Sequence, residues 1–196
     1  MTPRIEICGN IASGKTTLCH FLAKKGCHPI FEDFTNNPFI AKFYDEPSIF
    51  SFETELTFLL LHYHAIKLER PDAVVVCDYS LILDLAYADV NLSGDRHRLF
   101  SEIVSELQNE IGYPSRIIYL FCSEEVLIQR IRARARVVES SIRVDYLRAL
   151  NKAISLRIRD ITNQISVTSI DSHVVDFRRG IDEVPELYSL APAPFP

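Results

Sequence analysis

Gly9-Asn10-Ile11-Ala12-Ser13-Gly14-Lys15-Thr16-Thr17 matches the phosphate-cradling pattern G-x-x-x-x-G-K-[ST] at every fixed position. Its flanks agree with it. Ile5-Glu6-Ile7-Cys8 reads as a short buried strand, and Thr16 to Lys25 as a helix with Leu18, Phe21 and Leu22 on one side. A glycine-rich loop between strand and helix can turn its backbone N–H groups toward an anion at the helix N-terminus. Lys15 then offers a point charge to β and γ phosphates, and the Thr16 hydroxyl a ligand for Mg2+. The alternative is a chance match in a glycine turn. Strand before and helix after favour a nucleoside triphosphate site.

Beyond this loop the chain alternates strands and helices. Pro29-Ile30-Phe31 predicts a second strand, with Glu32-Asp33-Phe34 at its C-terminal end, where ligands collect in parallel α/β sheets. Strand alternation sends Glu32 and Asp33 to opposite sides. Asn36-Asn37-Pro38 leads into a short helix through Phe43-Tyr44, and Pro47 interrupts. Ser48 to about Glu69 is a long helix, with Phe52, Leu56, Leu59, Leu60, Tyr63 and Ile66 on roughly the helical period. Glu55 and His62 are seven apart and share a face. Ala73 to Cys77 is a strand buried on both sides. Asp78 closes it, where an acid following a phosphate loop organises Mg2+.

Helices are predicted at about 80–90 and 95–112, and a fourth strand at Ile117 to Phe121. Ser123 caps the next helix, with Glu124 and Glu125 in its first turn. That helix runs into Arg130-Ile131-Arg132-Ala133-Arg134-Ala135-Arg136, with Glu139 beyond. Arginines at every second position cannot share one helix face. A solvated basic surface is the plain reading. A phosphate loop in an acidic chain favours a mobile lid that closes over phosphates. Ile142 to Arg159 is a further helix, Ile165 to Ile170 a weak fifth strand, and residues 181–190 a last helical turn or two. The expected architecture is a three-layer α/β domain over residues 1–190 with a five-stranded parallel sheet, followed by an unstructured proline-rich tail at 191–196.

The totals narrow the function. A net charge of −5 argues against general nucleic-acid binding, which needs a basic face. No apolar run is long enough to span a membrane, and no signal peptide is evident. Five cysteines without a CxxC pair read as free thiols in a reducing cytosol, so the expected location is cytoplasmic. Cys8, Cys77 and Cys122 belong to apolar runs. Cys19-His20 and Cys27-His28 read as helix surface and turn rather than a metal site. No DxxG follows the third strand and no NKxD is present, and a lid excludes water from a γ-phosphate. Phosphoryl transfer is therefore preferred to a GTPase switch.

These pieces resemble the deoxynucleoside kinases, most closely the bacterial deoxyadenosine/deoxyguanosine kinase group, from about Ile5 to Leu150. The resemblance rests on the phosphate loop, Phe31-Glu32-Asp33-Phe34 followed by Asn37-Pro38-Phe39 and Phe43-Tyr44, Phe58-Leu59, Asp78-Tyr79-Ser80, Asn91-Leu92-Ser93, the Arg130–Glu139 segment and Asp145-Tyr146-Leu147. It implies a P-loop kinase fold and transfer from ATP, with Mg2+, to the 5′-hydroxyl of a deoxynucleoside, by a homodimer joined through its long helices. It implies that Glu32 is the general base, that Tyr44 and Glu139 hold the 3′-hydroxyl, and that Arg134 and Arg136 reach the donor phosphates. Glu55, His62 and Asp84 then read the base. The chain departs from the family at Tyr79, where many members carry arginine, and at Glu55 and His62, where glutamine and arginine are usual.

An ionised Glu55 suits the two adjacent donors of guanine. Burial beside Asp84 could instead leave one acid protonated and able to read adenine, and a protonated His62 could oppose this by pairing with an acid. The expected substrates are purine deoxynucleosides, deoxyguanosine slightly ahead of deoxyadenosine. The competing readings are a nucleoside monophosphate kinase and a regulatory nucleotide-binding protein that has lost its chemistry. An acid at Glu32 argues against the first. Retention of Lys15, Thr16, Glu32, Asp78, Arg134 and Arg136 argues against the second.

Overall fold

The computed structural model describes residues 3–68, 72–178 and 187. Its strands are β1 (Arg4–Gly9), β2 (His28–Ile30), β3 (Val75–Cys77), β4 (Arg116–Phe121) and β5 (Ser166–Asp171). They form one sheet in the order β2-β3-β1-β4-β5, with every pairing parallel. The helices are α1 (Lys15–Lys24), α2 (Ile40–Asp45), α3 (Pro47–Leu68), α4 (Leu81–Asn91), α5 (Gly94–Ile111), α6 (Glu124–Arg134) and α7 (Val144–Ile161).

Strand alternation makes the three layers. Ile7 and Ile118 pack with Leu18 and Leu22 of α1 on one face of the sheet. Their neighbours Cys8 and Ile117 pack on the other face with Leu127 of α6 and Leu147, Leu150 and Ile154 of α7. β1 is buried along its whole length, as a central parallel strand must be. Toward the β2 edge, Val75 and Cys77 meet Leu59 and Ile66 of α3 and Phe100 and Val104 of α5. Because β1 is central, the loop after it emerges in the middle of the sheet's C-terminal edge.

Local chemistry explains most boundaries. Pro47 separates α2 from α3 and opens the latter, where its missing N–H is not needed. Ser80 caps α4, its hydroxyl accepting from the Ile82 amide at 3.2 Å. Ser123 occupies the N-cap position of α6 but makes no side-chain cap bond, so the expected hydroxyl cap is not formed. Glu124 and Glu125 alone carry the favourable charge in that first turn.

The reading of Cys19 as helix surface is corrected. Cys19 is buried beside Leu18 and Leu22, while His20 faces outward and packs on Phe31 with ring centroids 4.3 Å apart. All five cysteines are buried. The helical turns expected at 181–190 and the tail at 191–196 lie outside the described residues, except Leu187, which is buried against the α1 face of the sheet. No described helix is long and apolar enough to cross a membrane.

Candidate active site

The phosphate loop is shaped by close packing and unusual backbone. A Cβ at Gly9 would stand 2.6 Å from the Leu120 carbonyl oxygen, so only glycine fits there. Ala12 at φ 62° and Gly14 at φ 104° take left-handed conformations, which turn backbone amides toward a common concavity. Asn10 fastens the loop to α7: its Nδ2 donates to the Leu147 carbonyl at 2.9 Å and to Asn151 Oδ1 at 2.8 Å. Lys15 Nζ donates to the carbonyls of Gly9 at 2.9 Å and Asn10 at 3.2 Å. Burial draws its pKa down, against the opposing pull of Glu32 and Asp78.

Asp78 links three elements. Its Oδ2 accepts from the Thr16 hydroxyl at 2.7 Å, and its Oδ1 accepts from the Glu32 amide at 2.6 Å. The end of β3 is thereby tied to the start of α1 and to the chain leaving β2. Thr16 and Asp78 bring a hydroxyl and a carboxylate together, and hard oxygen donors of this kind suit Mg2+.

A cleft of about 710 Å³ opens from the loop. Residues Ile11 to Thr17 line one end, Glu55, His62 and Asp84 the other, and Glu32 lies along the wall. Glu32 keeps 34% of its side chain exposed, whereas His62 and Asp84 keep 5% and 7%. His62 Nε2 is 3.1 Å from Glu32 Oε1, and its Nδ1 is 3.0 Å from both oxygens of Asp84. Burial pushes the Glu32 carboxyl up, but the hydrogen bond and charge of His62, with Lys15 and Arg136, bring it below the usual carboxylate range.

Glu55 has the opposite fate. Burial raises its pKa to about 8; the Asn91 hydrogen bond opposes the rise and the charge of Asp84 adds to it. Asn91 Nδ2 donates to Glu55 Oε1 at 2.7 Å and to the Tyr146 hydroxyl at 3.0 Å, so α3, α4 and α7 meet behind the pocket.

The arginine segment lines the cleft from α6 and the turn that follows it. Arg130 and Arg134 are one turn apart on α6 and share a face. Ala135 then adopts φ 50° and redirects the chain, which brings Arg136 over the same cleft, 4.6 Å from the Phe34 ring centre. Arg134 and Arg136 both donate to Glu139, Arg134 from Nε at 2.6 Å and Arg136 from Nη1 at 3.4 Å. Arg130 donates to the Ser172 carbonyl at 2.6 Å and thereby ties α6 to the segment after β5.

A protein-family model for the deoxynucleoside kinases matches residues 5–187. The chain belongs to that family. It is therefore an enzyme, a deoxynucleoside kinase. It is 30% identical over 187 residues to the deoxyguanosine kinase of Bacillus subtilis (strain 168), covering 89% of each chain. It is 29% identical over 185 residues to the deoxyadenosine kinase of Dictyostelium discoideum, covering 88% of this chain and 74% of that one. In fold it matches the deoxyadenosine kinase from M. mycoides with bound dCTP, with a TM-score of 0.82 over 95% of this chain and 99% of that chain, at 20% identity.

The residues singled out from sequence gather around one cleft. Lys15, Thr16, Glu32, Tyr44, Glu55, His62, Asp84, Arg134, Arg136 and Glu139 all line the cleft. Gly9, Asn10 and Asp78 stand behind it and hold its wall, Asn10 and Asp78 both buried at 2% exposure. Tyr44 and Glu139 share the cleft, but the bonds of Glu139 go to the two arginines rather than to Tyr44. Three contributors escaped the sequence reading: Asn91, Arg130 in its tethering role, and residues 172–178 beside the phosphate loop. Asn91 opens the Asn91-Leu92-Ser93 stretch of the family resemblance, which carries no sign of its role. The 172–178 segment carries no motif at all.

Proposed function

We propose that this kinase transfers the γ-phosphate of ATP to the 5′-hydroxyl of a purine deoxynucleoside, in the supply of nucleotides by salvage. The observation that carries this reading is the position of Glu32. It is an ionised, accessible carboxylate that shares one cleft with the phosphate loop and with the buried polar groups Glu55, His62 and Asp84. Phosphoryl transfer needs positioning and charge neutralisation more than covalent help. The loop amides and Lys15 hold the β and γ phosphates. Thr16 and Asp78 would hold Mg2+, which supplies charge compensation at the phosphates when bound. Glu32 takes the proton of the acceptor hydroxyl, Arg134 and Arg136 draw charge from the transferred group, and Tyr44 with Glu139 receives the 3′-hydroxyl. In the structure Glu139 occupies both arginines, so phosphate must compete with it for them.

With its pKa near 8, Glu55 is mostly neutral at pH 7, and a neutral carboxyl both donates and accepts. It can then match adenine or the O6/N1 edge of guanine. Ionised, it keeps only the guanine N1–H and 2-amino pair. This supports a purine site that accepts both deoxynucleosides near neutrality. A nucleoside monophosphate kinase would need cations where this pocket places Glu32, Glu55 and Asp84. A homodimer is supported by α3, whose apolar residues are not confined to one face and which leaves Leu60 47% and Leu68 64% exposed. Labelled ATP offered with the four deoxynucleosides and their monophosphates tests the function. Label appearing in purine deoxynucleoside monophosphates is expected, and transfer to monophosphates alone would overturn it.

A further inference from the structure

His62 was expected to read the base, yet its ring has no donor left for one. Both nitrogens face carboxylate oxygens, Nε2 toward Glu32 and Nδ1 toward Asp84. With Glu32 and Asp84 both ionised, only the doubly protonated ring serves both without setting a lone pair against a carboxylate. Burial alone would strip that proton, but Asp84 and Glu32 outweigh it and push the His62 pKa up to about 10. The ring plane is fixed as well. Tyr79 stacks on it at 4.0 Å and 11°, its hydroxyl donating to the His62 carbonyl, and Phe58 lies at 5.8 Å. The other cations near Glu32 have their own partners: Lys15 donates to loop carbonyls and Arg136 to Glu139.

We infer that His62 is a positioning residue for phosphoryl transfer: clamped by Asp84, its imidazolium holds Glu32 by Oε1 and leaves Oε2 for the acceptor hydroxyl. This rests on the reading of Glu32 as the base. As the new O–P bond forms, the hydroxyl proton passes to Glu32, and the γ-phosphorus to bridging-oxygen bond breaks with its electron pair leaving on ADP. His62 keeps its protons throughout. Its effect is on where the carboxylate sits and on keeping it ionised, at no expense of a donor to the base.

The test is a double-mutant cycle of His62→Gln and Glu32→Gln, with kcat and KM measured for deoxyadenosine and deoxyguanosine and thermal melts confirming folding. His62→Asn replaces the glutamine variant if that one does not fold. His62→Gln alone is expected to lower kcat roughly 10- to 100-fold, part of what a positioned base contributes, by the same factor for both deoxynucleosides. Added to Glu32→Gln, it should change kcat less than about twofold, because the group it acts through is already gone. Losses that multiply in the double variant, or an effect confined to KM or to one deoxynucleoside, would overturn the assignment. Wild-type turnover in Glu32→Gln alone would remove the underlying reading of Glu32, and that result is visible before His62 is touched.

Discussion

The two ends of the cleft are built from different materials. The phosphate end is mostly main chain: a glycine where no Cβ fits, two left-handed residues and the start of a helix. The end proposed to take the nucleoside is almost wholly side chain, with Glu55 and His62 from α3 meeting Asp84 and Asn91 from α4. A main-chain cradle has fixed dipoles and one protonation state. A pocket of buried acids has several, and each depends on its neighbours. The donor end should therefore respond to substitution as a switch, and the acceptor end as a dial set by pH.

The largest effect should come where the two ends meet. Glu32→Gln keeps the shape and removes the base, so kcat should fall by about 10²–10⁴-fold with little change in deoxynucleoside affinity. Asp33 caps the turn that follows, accepting from the Thr35 amide, so Asp33→Asn should leave turnover largely intact. The reverse pattern in steady-state rates would mean that the wrong acid has been chosen. At the donor end, Lys15→Ala should cost about 10²–10³ in kcat while the melting curve stays near wild type. Near-normal turnover would show that the loop amides suffice.

A smaller effect is expected from the arginine segment. Single-turnover rates for Arg134→Ala and Arg136→Ala should fall roughly 10- to 100-fold, more than ATP affinity does, as for loss of a charged hydrogen bond formed as the phosphoryl group moves. Glu139→Ala should act on deoxynucleoside KM instead. Equal, small changes in all three would return the segment to plain surface charge.

The finest test reads the dial itself. If Glu55 titrates near 8, its neutral fraction falls about tenfold from pH 7 to pH 9. In competition assays, use of deoxyadenosine relative to deoxyguanosine should decline by about the same factor, and Glu55→Gln should abolish the decline. Stability should follow. The folded state holds a proton that the unfolded chain releases near pH 4.5, so this contribution is present below that pH and is lost as pH rises through about 8. Glu55→Gln should flatten that slope in thermal melts.

This contrast also explains what could be read from sequence. The phosphate loop is local: nine consecutive residues carry both its shape and its chemistry, and the strand and helix around it follow from hydrophobic period. The five strands and their parallel pairing were legible for the same reason, but their order in the sheet was not. The Glu55–His62 face was legible too, because a helix fixes a seven-residue spacing. What that face touches was not. His62 meets partners 22 and 30 residues away, and nothing in their spacing reveals that both would be acids gripping one ring. Four alternating arginines cannot share one helix face, yet three reach the cleft: Arg130 and Arg134 from one face of α6, and Arg136 because the left-handed residue after the helix redirects the chain.

That residue, Ala135, has a consequence for how the enzyme can be tuned. Alanine in the left-handed region carries a penalty on the order of 1 kcal/mol that glycine would not. Glycine, however, would open many other exit directions from α6, and fixing one of them would cost more conformational entropy. With alanine the chain is born already facing the cleft. A little strain in the folded chain is set against the greater disorder that glycine would allow at the exit from α6, which ordering Arg136 and Glu139 over the cleft would have to overcome.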